Sequence, residues 1–277
     1  MRPSFANQNA PVLAGVIKER AVWDAIAAIR NCEYHGATGI DLHLSCLEPQ
    51  YQNTESLQKI IKASSLPILA LHYSQTYDRQ SFRIDEEERV ALLMAAIEAG
   101  ASGIDMQGYT FDYESKHHFK AEYAPTDCGF AHLNPKEVVF DSTVIDRQMA
   151  LIERIHAMGA EVLLSVHPDV VMNTEQVVEL ALLLEKRNPD IIKIVTRCNT
   201  EEELAESFRT MVTLKKELRA KVLFHCNGKM GRLSRIVNPL LGGQILFCCD
   251  GYTPSSIMEM PDLQTARSIV DNIRKTL

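Results

Sequence analysis

Along this chain, short runs of β-branched and other apolar residues alternate with longer stretches whose apolar residues recur at helical spacing. Strands are predicted at 12–17, 39–44, 67–72, 103–106, 161–166, 190–195, 221–225 and 244–248. Helices are predicted between and after them, at 21–34, 54–63, 86–98, 142–158, 174–186, 201–218, 233–240 and 262–275. Helix ends carry their own marks: Asn173 or Thr174, and Thr200, suit N-caps, while Gly36, Gly100 and Gly159 suit reversal at C-termini. Strict strand–helix alternation implies a parallel sheet. Eight such units in 277 residues fit one (β/α)8 TIM barrel domain of the α/β class, spanning 1–277. A doubly wound open sheet ranks second, because Gly15-Val16-Ile17-Lys18 does not make the G-x-G-x-x-G turn expected after its first strand. The one long interruption, residues 108–140, follows the fourth strand and holds Tyr109, Tyr113, His117, His118, Tyr123 and His132. An insertion there suits a lid over an active site, or an excursion that packs on the barrel or makes a subunit contact.

Composition narrows the class of partner. A formal charge of −7 and a pI near 5.7 argue against general binding to nucleic acid or an anionic membrane, so an anionic substrate needs its own local cation. No apolar run approaches the roughly 18 residues of a membrane span, and the first residues lack a secretory pattern, so a cytoplasmic enzyme is expected. Seven scattered cysteines without a C-x-x-C pair point to reduced thiols rather than structural zinc.

Chemistry concentrates in the second half. In Asp190-Ile-Ile-Lys-Ile-Val-Thr196 a lysine interrupts a strand that a parallel barrel buries on both faces. Lys193 is therefore a candidate imine-forming amine, its alternative being a lysine paired to a buried carboxylate. His167 ends the preceding strand and is the natural group to shuttle a proton beside it. The stretch Asn227-Gly-Lys-Met-Gly-Arg-Leu-Ser-Arg235 combines glycine turns with cations at a helix start, a pattern suited to holding a carboxylate or phosphate.

Together, Ser165-Val-His167, Asp190-Ile-Ile-Lys193-Ile and Gly228-Lys-Met-Gly-Arg-Leu-Ser-Arg235 resemble the signature of type I 3-dehydroquinate dehydratases, in order and spacing. The resemblance implies a commonly dimeric barrel that needs no metal or organic cofactor. It assigns imine formation to Lys193, proton transfer to His167 and the grip on a substrate carboxylate to Arg235. The front half departs from the family pattern. Asp41-Leu-His43-Leu-Ser45 stands where the family has Glu-x-Arg-x-Asp, and His72 where it has an arginine on the third strand. Gln107 stands for the glutamate that supports the catalytic histidine, and Gln264 is matched to the family's C-terminal glutamine. These residues are expected to line the substrate site, with His167 deprived of its acidic partner and the substrate of the dehydration shifted to a different, less acidic keto-polyol, 3-dehydroquinate itself staying open.

Three rival readings stay open on the residues alone. One is a lysine-imine class I aldolase acting on a phosphosugar. A second is a metal-dependent barrel enzyme, with Asp41, His43, His72, His167 and His225 converging on an ion. The third is a non-catalytic ligand sensor.

Overall fold

A computed structural model describes residues 2–74, 84–112, 137–168, 170–252 and 259–276. Among them eight strands alternate with eight α-helices: β1 (Val12–Ile17), α1 (Val22–Tyr34), β2 (Gly39–His43), α2 (Thr54–Ile61), β3 (Ile68–Leu71), α3 (Glu86–Ala99), β4 (Gly103–Gln107) and α4 (Ser142–Ala157) come first. Then follow β5 (Glu161–Val166), α5 (Thr174–Glu185), β6 (Ile191–Arg197), α6 (Glu201–Glu217), β7 (Lys221–Asn227), α7 (Gly231–Leu240), β8 (Ile245–Cys248) and α8 (Leu263–Arg274). The strands belong to one sheet in the order β7-β6-β5-β4-β3-β2-β1-β8, and each pair whose register is defined runs parallel. This is the (β/α)8 barrel fold that the alternation predicts.

By internal contacts the chain divides into two compact units, one comprising residues 1–105, 155–161 and 245–277, the other 106–154 and 162–244. In the first, β1 pairs with β2 and β8, and β2 with β3. Every residue of β2 and β3 is buried, as expected of strands covered on both faces. Asp85 caps α3 by accepting from the backbone N–H groups of Glu87 and Glu88, and Gly100 ends that helix at φ +112°.

In the second unit, β5, β6 and β7 pair in register, which sets Ser165 beside Lys193 and Lys193 beside Leu223. One repeat further along, Val195 pairs with His225. Residues paired across parallel strands project to the same face, and so do residues two apart on one strand. Lys193 and His225 therefore share a face of the sheet. The helices that flank these strands start where the sequence marks them, since Asn173 and Thr200 both form full capping boxes, with Gln176 and Glu203. Just before β8, the N–H of Gln244 donates to the Val222 carbonyl of β7 (2.7 Å).

Candidate active site

Lys193 occupies the third position of β6 and is only 6% exposed, so its side chain is buried rather than laid along a surface. His167 follows the last residue of β5 and is part-exposed. Its Nδ1 lies 2.7 Å from Glu137 Oε2, and its backbone N–H donates to the same oxygen at 2.8 Å. A carboxylate at Nδ1 draws the ring proton to that nitrogen and leaves Nε2 as the basic one. Glu137 thus corrects the expectation that His167 lacks an acidic partner. The partner comes from the far end of the 108–140 segment rather than from β4.

Glu137 is buried and adopts a left-handed backbone, φ 64°. A non-glycine residue keeps that conformation only where its surroundings over-determine it, and such residues cluster at functional sites. Gly108 makes room for it. A Cβ at Gly108 would stand 2.6 Å from the Glu137 carbonyl oxygen and 2.3 Å from a Val166 methyl.

His225 joins the same constellation. Burial, then the positive charges of Arg235, Lys193 and His167, hold its imidazole well below the usual histidine range. It is therefore neutral at physiological pH and can only exchange hydrogen bonds there. Its electrostatic neighbours are the three side chains assigned to chemistry. Arg235, on α7, donates from Nη2 to the Asn227 side-chain oxygen at 2.5 Å, which fixes one edge of the guanidinium. One residue earlier, Ser234 Oγ accepts from the Cys226 N–H at 2.9 Å and ties the helix to β7. Gln107 ends β4 fully buried, its carbonyl accepting from both the N–H and the hydroxyl of Thr110.

Four of the expected residues lie in the first unit. Asp41 and His43 are buried and 3.1 Å apart, Oδ2 to Nε2. Asp41 Oδ1, His43 Nδ1 and Ser45 Oγ are buried without a hydrogen-bond partner among the described residues. Buried polar groups are seldom left so, and this alternating row suits a polar ligand. The ring packed on His43 is that of Tyr73, with centroids 6.0 Å apart, and not His72. His72 is fully buried, its carbonyl accepts from Arg89 Nη1 at 2.7 Å, and burial followed by the Arg89 charge lowers its imidazole to about 3. Gln264 stands exposed on the first turn of α8. Of the 108–140 segment, residues 113–136 lie outside the described residues, Tyr113, His117, His118, Tyr123 and His132 with them.

A family model described as Type I 3-dehydroquinase matches residues 16–274. The chain belongs to that family. A 3-dehydroquinate dehydratase of Coxiella burnetii (strain Dugway 5J108-111) is 32% identical over 111 residues, which are 39% of this chain and 46% of that protein. One of Desulfotalea psychrophila is 23% identical over 174 residues, 63% of this chain and 62% of its own length. These matches span less than two thirds of either relative. The crystal structure of 3-dehydroquinate dehydratase from Geobacillus kaustophilus HTA426 superposes with a TM-score of 0.73 at 12% identity, covering 96% of this chain and 91% of that one. Type I 3-dehydroquinate dehydratase from Clostridium difficile gives 0.74 at 14%, covering 98% and 95%. Both show the barrel fold in common.

Within this type I 3-dehydroquinase chain, the sequence singled out Lys193, His167 and Arg235, offered Asn227 only within the anion-holding stretch and His225 only as a metal ligand, and gave no role to Glu137 or Tyr73. The local hint of Glu137 is an acid directly ahead of Val138-Val139, an apolar pair that is buried, and nothing in that stretch points to His167. Among the described residues no three His, Cys, Asp or Glu side chains group as an ion would require. Among them, too, no helix is long and apolar enough to cross a membrane.

Proposed function

We propose that this chain is an imine-forming dehydratase of a cyclic or polyhydroxylated keto acid, 3-dehydroquinate or a close relative. The observation that carries the reading is the buried Lys193 side chain in the electrostatic company of His225, together with His167 and Arg235 and the Glu137 carboxylate behind His167. Lys193 attacks the ketone, and the carbinolamine loses water to give an imine. The imine withdraws electrons from the adjacent carbon, whose proton passes to Nε2 of His167 while Glu137 steadies the imidazolium. The resulting enamine expels the hydroxyl one carbon further on, His167 returns its proton to make water, and hydrolysis of the conjugated imine frees Lys193. Arg235 supplies the local cation that an acidic substrate needs on a chain of net charge −7.

The first unit supports a change of substrate rather than of reaction. Asp41, His43 and Ser45 offer one carboxylate, one imidazole and one hydroxyl, groups that suit neutral hydroxyls better than the second anionic group an arginine would hold. His72, neutral and packed toward Arg89, supplies no permanent charge. The family resemblance also supports a homodimer.

Mass spectrometry after borohydride treatment, with 3-dehydroquinate and a panel of keto acids and keto sugars, tests the reading. The expected result is an adduct on Lys193 with the mass of a dehydrated substrate, absent from Lys193→Ala. An adduct carrying a cleaved carbon chain would favour an aldolase instead. Absence of any Lys193 adduct across the panel would favour a sensor and overturn the proposal.

A further inference from the structure

Arg187 is the least expected charge in the molecule. It follows α5, is 1% exposed, and among the described residues its guanidinium meets only neutral groups: Nη1 donates to Gln148 Oε1 at 2.5 Å and Nη2 to the Val139 carbonyl at 2.8 Å. Burial lowers its proton affinity, to about 10, yet leaves it cationic at neutral pH. A buried cation held by one amide and one carbonyl, with its Nε unpartnered among the described residues, is costly compared with an apolar side chain of the same size, so its presence calls for a reason beyond packing.

The reason lies in what the two bonds join. Gln148, fully buried on α4, uses its whole amide: the oxygen accepts from Arg187, and the nitrogen donates to the carbonyls of Gly108 (2.8 Å) and Thr110 (2.7 Å). Only one orientation of the amide satisfies all three, because both neighbours of the nitrogen are acceptors and the neighbour of the oxygen is a donor. One fork thus grips both flanks of the 113–136 segment, residues 108–110 through Gln148 and residue 139 directly. Glu137 sits two residues from the gripped carbonyl, in a backbone conformation that needs outside support, and its own carbonyl packs on Gly108.

We infer that Arg187 and Gln148 are positioning residues that hold Glu137 in hydrogen-bonding register with His167 Nδ1, so that proton transfer at His167 depends on a buried fork that touches no substrate. The inference rests on the reading of His167 as the proton carrier for its kinetic consequence, but not for its structural one. Lysine keeps the charge at position 187 and loses the fork, and Gln148→Glu keeps the acceptor for Arg187 while turning a carboxylate oxygen toward the two carbonyls.

Two measurements on Arg187→Lys, Gln148→Glu and Glu137→Gln test this. In ¹⁵N-histidine NMR, the Nδ1–H signal of His167, assigned by its loss in His167→Gln, disappears in Glu137→Gln and also in Arg187→Lys and Gln148→Glu. In steady-state kinetics with whichever ketone the parent dehydrates, Arg187→Lys lowers kcat on the order of tenfold with KM nearly unchanged. In a Glu137→Gln background the same change lowers kcat less than about twofold, because the group it positions is already gone. A folded Arg187→Lys or Gln148→Glu that keeps the His167 signal overturns the inference, and so do kinetic losses that simply multiply. If the parent dehydrates no ketone and the signal still vanishes, the reaction reading fails while the positioning role stands.

Discussion

A histidine becomes a directed base only when something chooses which nitrogen carries its proton, and here Glu137 makes that choice at 2.7 Å from Nδ1. Glu137→Gln keeps the size of the side chain but removes the negative charge behind Nδ1. We expect kcat for dehydration to fall on the order of 10²-fold. The borohydride adduct on Lys193 should survive, since imine formation precedes proton abstraction. An unchanged kcat, or loss of the adduct along with turnover, would remove Glu137 from the proton pathway. Single residues were unevenly legible in the sequence. Lys193 stood out because a strand buried on both faces offers a charge no route to water. His167 stood out by its place at the end of β5 and its match to the family's histidine. Glu137 did not, because the contact spans 30 residues and a left-handed turn that no local pattern announces. Tyr73 escaped for a simpler reason: the family pattern drew attention to His72, and nothing in the sequence sets the next residue against the His43 ring.

Elements were far more legible, and their errors have a common cause. Each strand and helix falls within a few residues of its predicted place, because alternation between two-sided burial and amphipathic spacing is strong in this chain. The strands β6 and β7 nevertheless run to Arg197 and Asn227, past the predicted ends at 195 and 225. The ladder continues through Thr196, Arg197, Cys226 and Asn227 because backbone pairing ignores side-chain polarity, whereas the prediction relied on it. That extension matters, since Asn227 holds Arg235. The start of α7 is fitted closely to β7: a Cβ at Gly231 would lie 2.4 Å from the Cys226 carbonyl oxygen. Gly231→Ala should therefore push α7 off the strand, stretch the Cys226–Ser234 bond and turn Arg235 away from Asn227. We expect a stability loss of about 1–3 kcal/mol in thermal melts. The same variant should raise KM for an acidic substrate on the order of tenfold, with kcat little changed. A lower melting temperature with KM intact would show that this helix start supports the fold but not the orientation of Arg235.

At the scale of the whole molecule, two buried imidazoles tie stability to pH. Burial lowers His72 to about 3, and burial with three neighbouring positive charges holds His225 well below its usual range. In the unfolded chain both titrate near 6.5. As pH falls below that value the unfolded chain takes up a proton on each ring and the native chain does not, so the unfolded state gains. Each histidine then contributes a slope of about 1.4 kcal/mol per pH unit, or roughly 2 kcal/mol of lost stability by pH 5. The contribution is full above pH 6.5, and for His72 the loss levels off only near pH 3. Carboxylates titrate in the same region, so the parent curve alone cannot assign the slope. Replacing one imidazole by an uncharged amide can. Denaturant unfolding of the parent, His72→Gln and His225→Gln at pH 7.0, 6.0 and 5.0 should give a shallower decline in each variant by about one proton's worth, whatever the substitution costs at pH 7.0. A variant curve parallel to the parent's would mean that the corresponding ring takes up its proton in the native protein over the same pH range as in the unfolded chain. For His225, that result would mean that a further positive charge builds up beside Lys193 and Arg235 as the pH falls from 7.0 to 5.0.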